Sequence, residues 1–164
     1  MKRTILVPTD FSEESLGLVE HIIANAGNDQ VDIVLTHCMF LSDSIMELLF
    51  FSKIELLHSL KSPEFKKACR AIHRRCSKTN ILIRTELFTG FTQAAFDHFI
   101  EGNQINEAVI PNRYNPRLNL SRSFNPIPFI RKSRLKITEV AIEDESNEDT
   151  KMHLIRLKKR FIRA

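Results

Sequence analysis

Tryptophan is absent from the chain, tyrosine occurs once (Tyr114), and glycine occurs four times (Gly17, Gly27, Gly90, Gly102). The shortage of glycine excludes most. A Gly-rich phosphate cradle needs residues that take φ > 0 and let backbone N–H groups approach the anion. No glycine follows Gly102. Cysteine is also sparse: Cys38, Cys69 and Cys76 are an odd set without disulfide-scaffold spacing. That usage fits a reducing, cytoplasmic setting. Uninterrupted apolar runs are missing. The most apolar stretch, Ile45 to Leu60, contains Glu47, Lys53, Glu55 and His58. A bilayer span needs roughly 20 mostly apolar residues, so this stretch is expected to be a buried or interface helix. Polar residues break the N-terminal apolar run, and no secretory signal is expected.

What the chain does have is an uneven charge. The net charge of +4 hides a slightly acidic stretch over residues 1–112 and a basic excess beyond it. Arg113, Arg117, Arg122, Arg131, Lys132, Arg134 and Lys136 have no acidic residue between them. An acidic stretch follows, and then a basic tail, Lys151–Ala164, that interleaves Met152, Leu154, Ile155, Leu157, Phe161 and Ile162. Such a tail is compatible with an amphipathic helix on an anionic surface. A segment docked on the domain or a partner is the favoured reading. Aromatic interleaving is thin, so nucleic acid is not the expected partner.

A length of 164 residues suits one domain with a real core. Ile5-Leu6-Val7 is a short apolar run, as in a parallel strand covered on both faces. Pro8 ends the ladder, having no N–H to donate. Asp10 and Ser12 are candidate helix caps, with Glu13 and Glu14 in the first turn. Leu16, Val19, Ile22, Ile23 and Ala26 follow helical spacing, and Gly27-Asn28 stops the helix. Val31 to Phe40 reads as a second strand. Ser42-Asp43-Ser44 then caps a helix over Ile45–Leu60, and Ser62-Pro63 starts another. Ile81 to Phe88 is a third strand. Thr89-Gly90 turns into a helix with Phe91, Ala94, Ala95, Phe99 and Ile100 as its apolar face. Ala108-Val109-Ile110 and Leu135 to Ile142 supply the fourth and fifth strands. Strands alternating with helices imply a parallel sheet with right-handed crossovers.

The run Ile5-Leu6-Val7-Pro8-Thr9-Asp10-Phe11-Ser12 resembles the opening strand and loop of the universal stress protein family. The element order extends the resemblance to about Ile142. It implies an α/β fold: a five-stranded parallel sheet sandwiched by helices, nucleotide-binding-like and similar to the adenine nucleotide alpha hydrolases. The domain is expected over residues 1–142, with a charged C-terminal tail over residues 143–164. The resemblance also implies a homodimer paired through the last strand, Leu135 to Ile142.

Nucleotide-binding members of that family hold adenine and ribose near the ends of the first two strands. They hold the phosphates in a loop after the fourth strand, with the pattern G-x2-G-x9-G-[ST]. The first half is retained: Pro8, Thr9 and Asp10 end the first strand, and Thr36-His37 resembles a common Leu-His pair. The second half is not. Pro111 and Tyr114 fall where two glycines are expected, and Arg122-Ser123 or Phe124-Asn125 replaces the final Gly-Ser. Proline has no N–H and fixes φ near −65°, Tyr114 fills space that phosphates need, and Pro126 and Pro128 interrupt the next helix start. The cradle is therefore expected to be degenerate and no cofactor is expected. In the alternative, ATP, AMP or another small anion sits in a modified pocket. Pro8, Thr9, Asp10, His37 and Ser123 would form it, with Arg113, Arg117 or Arg122 offering guanidinium forks.

Two further constellations have plainer readings. Cys69, His73 and Cys76 at i, i+4 and i+7 have metal-ligand spacing but share a face with Phe65, Ala68 and Ile72, so core packing is expected. His37 and Cys38 are adjacent on a strand and point to opposite faces, which excludes a direct Cys–His pair. No paired carboxylates, Ser–His–Asp set or P-loop stands out. The resemblance to universal stress proteins implies a non-enzymatic stress-response or signalling protein, expected to act through an unknown protein partner.

Overall fold

The computed structural model describes residues 2–114, 116 and 122–141. Five strands, β1 (Lys2–Pro8), β2 (Gln30–Cys38), β3 (Ile81–Phe88), β4 (Glu107–Pro111) and β5 (Lys136–Val140), form one sheet in the order β3-β2-β1-β4-β5. Every pairing is parallel. The chain moves from β1 outward through β2 to β3, then crosses back to β4 beside β1. The β1/β4 boundary is thus the topological switch point, where open α/β sheets place ligands.

Side-chain alternation sorts the core into two layers. Ile5, Val7, Ile33, Leu35 and Val109 face one side. There they pack on α1 (Leu16–Asn25), α3 (Lys53–Leu60) and α4 (Pro63–Cys76). Leu6, Val34, Ala108 and Ile110 face the other side, against α5 (Gln93–Gly102) and α6 (Ile127–Lys132). β1 is buried on both faces, as its unbroken apolar run requires. At its N-terminal end Arg3 is bound by both Glu107 oxygens at 2.8 Å, which ties β1 to β4. Gly90 is fixed by close approach: a Cβ there would lie 2.8 Å from the Phe88 ring and the Ala95 Cβ.

Several local expectations are corrected. α1 begins one turn late, at Leu16, and its first turn holds no acidic residue. Asp10 instead accepts from the Ser12 N–H at 3.0 Å and from the Ser12 hydroxyl, closing an Asx turn before the helix. The single helix expected over Ile45–Leu60 is two: α2 (Ile45–Leu49) and α3, each opened by its own serine cap, Ser44 and Ser52. It is also largely exposed, with Leu57 its only buried residue. In α5 the buried residues are Phe96 and Ile100, while Phe91 precedes the helix and faces solvent. Pro126 and Pro128 do not prevent α6, because proline is tolerated in a first turn, where the N–H has no intrahelical partner. Ser62 and Pro63 open α4 as expected, the Ser62 hydroxyl accepting from the Phe65 N–H at 3.1 Å. Among the described residues no helix is long and apolar enough to cross a membrane.

Candidate functional site

The site grows from the point where β1 runs out of hydrogen-bond donors. Pro8 pairs with Thr36 in register but has no N–H, so the Thr9 N–H takes the next bond, to Thr36 O at 3.0 Å. The chain then turns sharply at Phe11, whose φ of 58° lies in the left-handed region. That conformation costs a non-glycine residue about 1–2 kcal/mol, and local bonds hold it. The Phe11 N–H donates to Thr9 Oγ1 at 3.0 Å. Ser15 spends its one hydroxyl proton on Ser12 O at 2.8 Å. Thr9 is therefore the donor in the 2.9 Å contact between the two hydroxyls. The Phe11 ring is pinned in turn, tilted against His37 at 5.1 Å and edge-on to Phe65 at 5.4 Å.

His37, near the end of β2, completes this half. Its Nδ1 lies 2.9 Å from Thr9 O, a carbonyl that only accepts, so Nδ1 carries the proton. Burial pushes the imidazole below the ordinary histidine range, against the opposing pull of the Thr9 carbonyl and the Asp10 charge. The ring is neutral, and its Nε2 is an acceptor. The acceptor is satisfied by Ser123, whose Oγ lies 2.9 Å away.

Ser123 belongs to the segment that should have cradled phosphates. Residues Arg122–Phe124 instead run antiparallel along the end of β2, with Met39 opposite Ser123. The Phe40 N–H donates to Arg122 O at 2.8 Å, and the Phe124 N–H donates to Cys38 O at 3.0 Å. The Phe40 and Phe124 rings stack at 4.5 Å, and Phe88 meets Phe124 edge-on at 6.2 Å. One backbone donor of this segment, the Phe124 N–H, is consumed in this ladder. For the same reason Ser123 and His37, though within proton-transfer reach, have no oxyanion donor in the Phe124 N–H.

Tyr114 is half-buried. Burial, and then the charge of Asp10, push its hydroxyl well above the tyrosine range. Arg122 points away from the cleft, 3.3 Å from Glu47 of α2. Hydrogen bonds from Ser42 and Arg122 hold the Glu47 carboxyl below its usual range. Arg113 is exposed. The structure thus brings Thr9, Asp10, His37 and Ser123 together at the ends of β1 and β2, and does not bring Arg122 to them. Arg117 lies outside the described residues.

Two surface grooves lie elsewhere. One of about 350 Å³ is lined by Lys61, Phe65, Lys66, Cys69, Arg70 and His73 beside β3. Another of about 230 Å³ lies at the opposite ends of β1, β2 and β3, around Lys2, Gln30 and Asn80. Cys76 is buried in the core while His73 faces solvent, so the i, i+4, i+7 set does not converge. Among the described residues no group of three or more His, Cys, Asp or Glu is placed to hold a metal. Cys38 and His37 are both buried. Burial raises the Cys38 thiol far above its usual range, which makes it inert. The residues that sequence reasoning missed are Ser15, Phe124 and Glu47. The signal for Phe124 was the phenylalanine-rich composition. For the other two, nothing local distinguishes them from ordinary helix-start and surface residues.

Comparisons with known proteins bear on the fold. The model of the universal stress protein family matches residues 1–88, which ends with β3 and leaves the altered β4 loop outside the match. No curated protein matches. Among solved structures, hypothetical protein MJ0577 is similar at a TM-score of 0.54 and 18% identity, covering 87% of this chain and 98% of that one. Universal stress protein UspA from Lactobacillus plantarum is similar at 0.53 and 12% identity, covering 84% and 97%. A protein from the universal stress protein family from Burkholderia pseudomallei is similar at 0.50 and 11% identity, covering 85% and 96%. At these identities the likeness is one of fold.

Proposed function

The chain belongs to the universal stress protein family, and from that premise we propose a non-enzymatic stress-response or signalling protein, acting as a dimer through protein contacts. In this reading the phosphate half of the family's cleft is given over to the protein itself. The observation that carries it is the Ser123–His37 bond at 2.9 Å, made by a segment laddered onto β2. A nucleotide phosphate would have to displace that ladder and Tyr114. β5 supports the dimer: it pairs with β4 on one side and with no other strand among the described residues. An open edge is a template for a second copy. Ile142, the expected end of that strand, lies outside the described residues. The free cysteines Cys38, Cys69 and Cys76 support a reducing, cytoplasmic setting.

The competing reading keeps an adenine nucleotide or another small anion on Pro8, Thr9, Asp10, His37 and Ser123, met by Arg113 or Arg122. It draws on the intact β1–β2 half, but Arg122 would have to leave Glu47 to serve it. Native mass spectrometry of freshly purified protein separates the two. The proposal expects a dimer mass without added ligand. A stoichiometric adenine nucleotide carried through purification would overturn the degenerate cleft, and a monomer mass would overturn the dimer.

A further inference from the structure

The α2–α3 segment presents an apolar surface that the domain does not use. Ile45 is 75% exposed, Leu49 70%, Phe50 78% and Ile54 81%, with Met46 beside them. Contiguous apolar patches of this kind mark a covered surface. α2 has no buried residue, and α3 is seated on the core by Leu57 with Leu56 and Leu60 partly buried beside it, which leaves Ile45, Leu49, Phe50 and Ile54 on the outer face. The patch is anchored at its edges by ion pairs, Arg122 to Glu47 and Lys53 to Glu86.

We propose that the basic tail of this same chain, Lys151–Ala164, covers that surface. Charge is the first argument. Residues 41–60 hold Asp43, Glu47 and Glu55 against Lys53, a net −2, whereas residues 151–164 hold six basic residues and no acidic one. Asp43 and Glu55 have no ion pair among the described residues, so carboxylates rim the apolar face. The same acidic rim disfavours an anionic membrane as the occupant. Apolar pattern is the second argument. Leu154, Leu157 and Phe161 recur at i, i+3 and i+7, the spacing of one helical stripe. An amphipathic helix laid by its apolar stripe on a hydrophobic surface is a recurring recognition mode. Reach is the third. All strands are parallel, so β5 delivers the chain at the same end of the sheet as β2 and β3, beside which α2 and α3 sit. Three strand spacings from β5 to β2 amount to about 14 Å, and the 13 residues from Ala141 to Leu154 span up to roughly 40 Å.

Phe50 replaced in the full-length protein by photoreactive p-benzoylphenylalanine gives the test, because this exposed position accepts the larger ring without disturbing the core. Irradiation followed by peptide mapping is expected to join position 50 to residues 151–164 of the same chain, the product keeping the mass of one chain under denaturing conditions. The same reporter at Phe91, itself 75% exposed in the turn before α5, is expected to give at least tenfold less of that product. Reversing three tail charges (K158E, K159E and R160E together) is expected to lower the yield at position 50 by about tenfold at low salt. Joining to residues 41–60 of a second copy would overturn the proposal. So would equal yields at positions 50 and 91, or a yield indifferent to charge reversal. Loss of the tail product on adding anionic phosphatidylserine vesicles, with the protein sedimenting on them, would make a membrane the occupant and also overturn it.

Discussion

The ends of β1 and β2 and the segment after β4 do different physical work. At the ends of β1 and β2, Thr9, Phe11, Ser15 and His37 hold one another in a closed set of hydrogen bonds and ring contacts. After β4, Pro111 and Tyr114 stand where glycines would have exposed backbone donors, and Arg122–Phe124 folds back as a short antiparallel ladder. The first half is rigid because a left-handed Phe11 must be held. In the second half the Phe124 N–H is spent on Cys38 O, and no glycine is present to take φ > 0 without steric cost. On the reading proposed above, a binding loop is lost while the strand facing it stays intact: the Phe124 N–H finds a partner within the chain, and Ser123 caps the histidine.

The comparison can be broken first at its foundation. Phe65→Ala removes a fully buried ring that backs Phe11, and is expected to cost about 3–5 kcal/mol in urea unfolding. A loss below ~1 kcal/mol would mean the first half is not supported from the core. His37→Ala unpairs Thr9 O and frees Ser123, with an expected cost of about 2–3 kcal/mol. Ser123→Ala leaves only His37 Nε2 unsatisfied and should cost about 1 kcal/mol. If the two halves are joined through this bond, the double variant loses less than the sum of the single ones, by up to ~1 kcal/mol.

The pH dependence sharpens the same point. Burial depresses the folded-state value of His37 below 6.5, so the unfolded chain binds the extra proton first as pH falls. The His37 contribution is complete above pH 6.5 and is lost as pH drops through the folded value. Melting temperature is expected to decline in that window and to flatten in His37→Gln. Glu107, held low chiefly by its bond to Arg3, gives a separate decline below about pH 4.5. The smallest effect belongs to Arg122→Ala, whose partner Glu47 is fully exposed. Its melting temperature should match the parent, and a large drop would show that Arg122 supports the ladder by more than its backbone.

The fold was legible because buried parallel strands write themselves as apolar runs. Ile81–Phe88 matches its strand residue for residue, and Ser62-Pro63 gives a start signal with a local mechanism. The first half of the site was legible for a related reason, since Pro8 must end a ladder wherever it falls. The Ile45–Leu60 stretch was misread because apolar content does not reveal which neighbour covers it, and a serine inside the run, Ser52, is both tolerable in a helix and a cap. Ser123 was named as a pocket residue, but its bond to His37 spans 86 positions, and no local pattern encodes it. The left-handed Phe11 was likewise invisible, since its φ is fixed by Thr9 Oγ1 and by packing rather than by its own preference.

Isothermal titration calorimetry of the full-length protein with ATP tests the central claim most directly. On the proposed reading the phosphate half of the cleft is closed, and no saturable heat is expected up to about 1 mM nucleotide. One-to-one binding with a Kd near about 1 μM, lost in His37→Ala, would show that the second half of the site opens to a nucleotide after all, and would contradict the account.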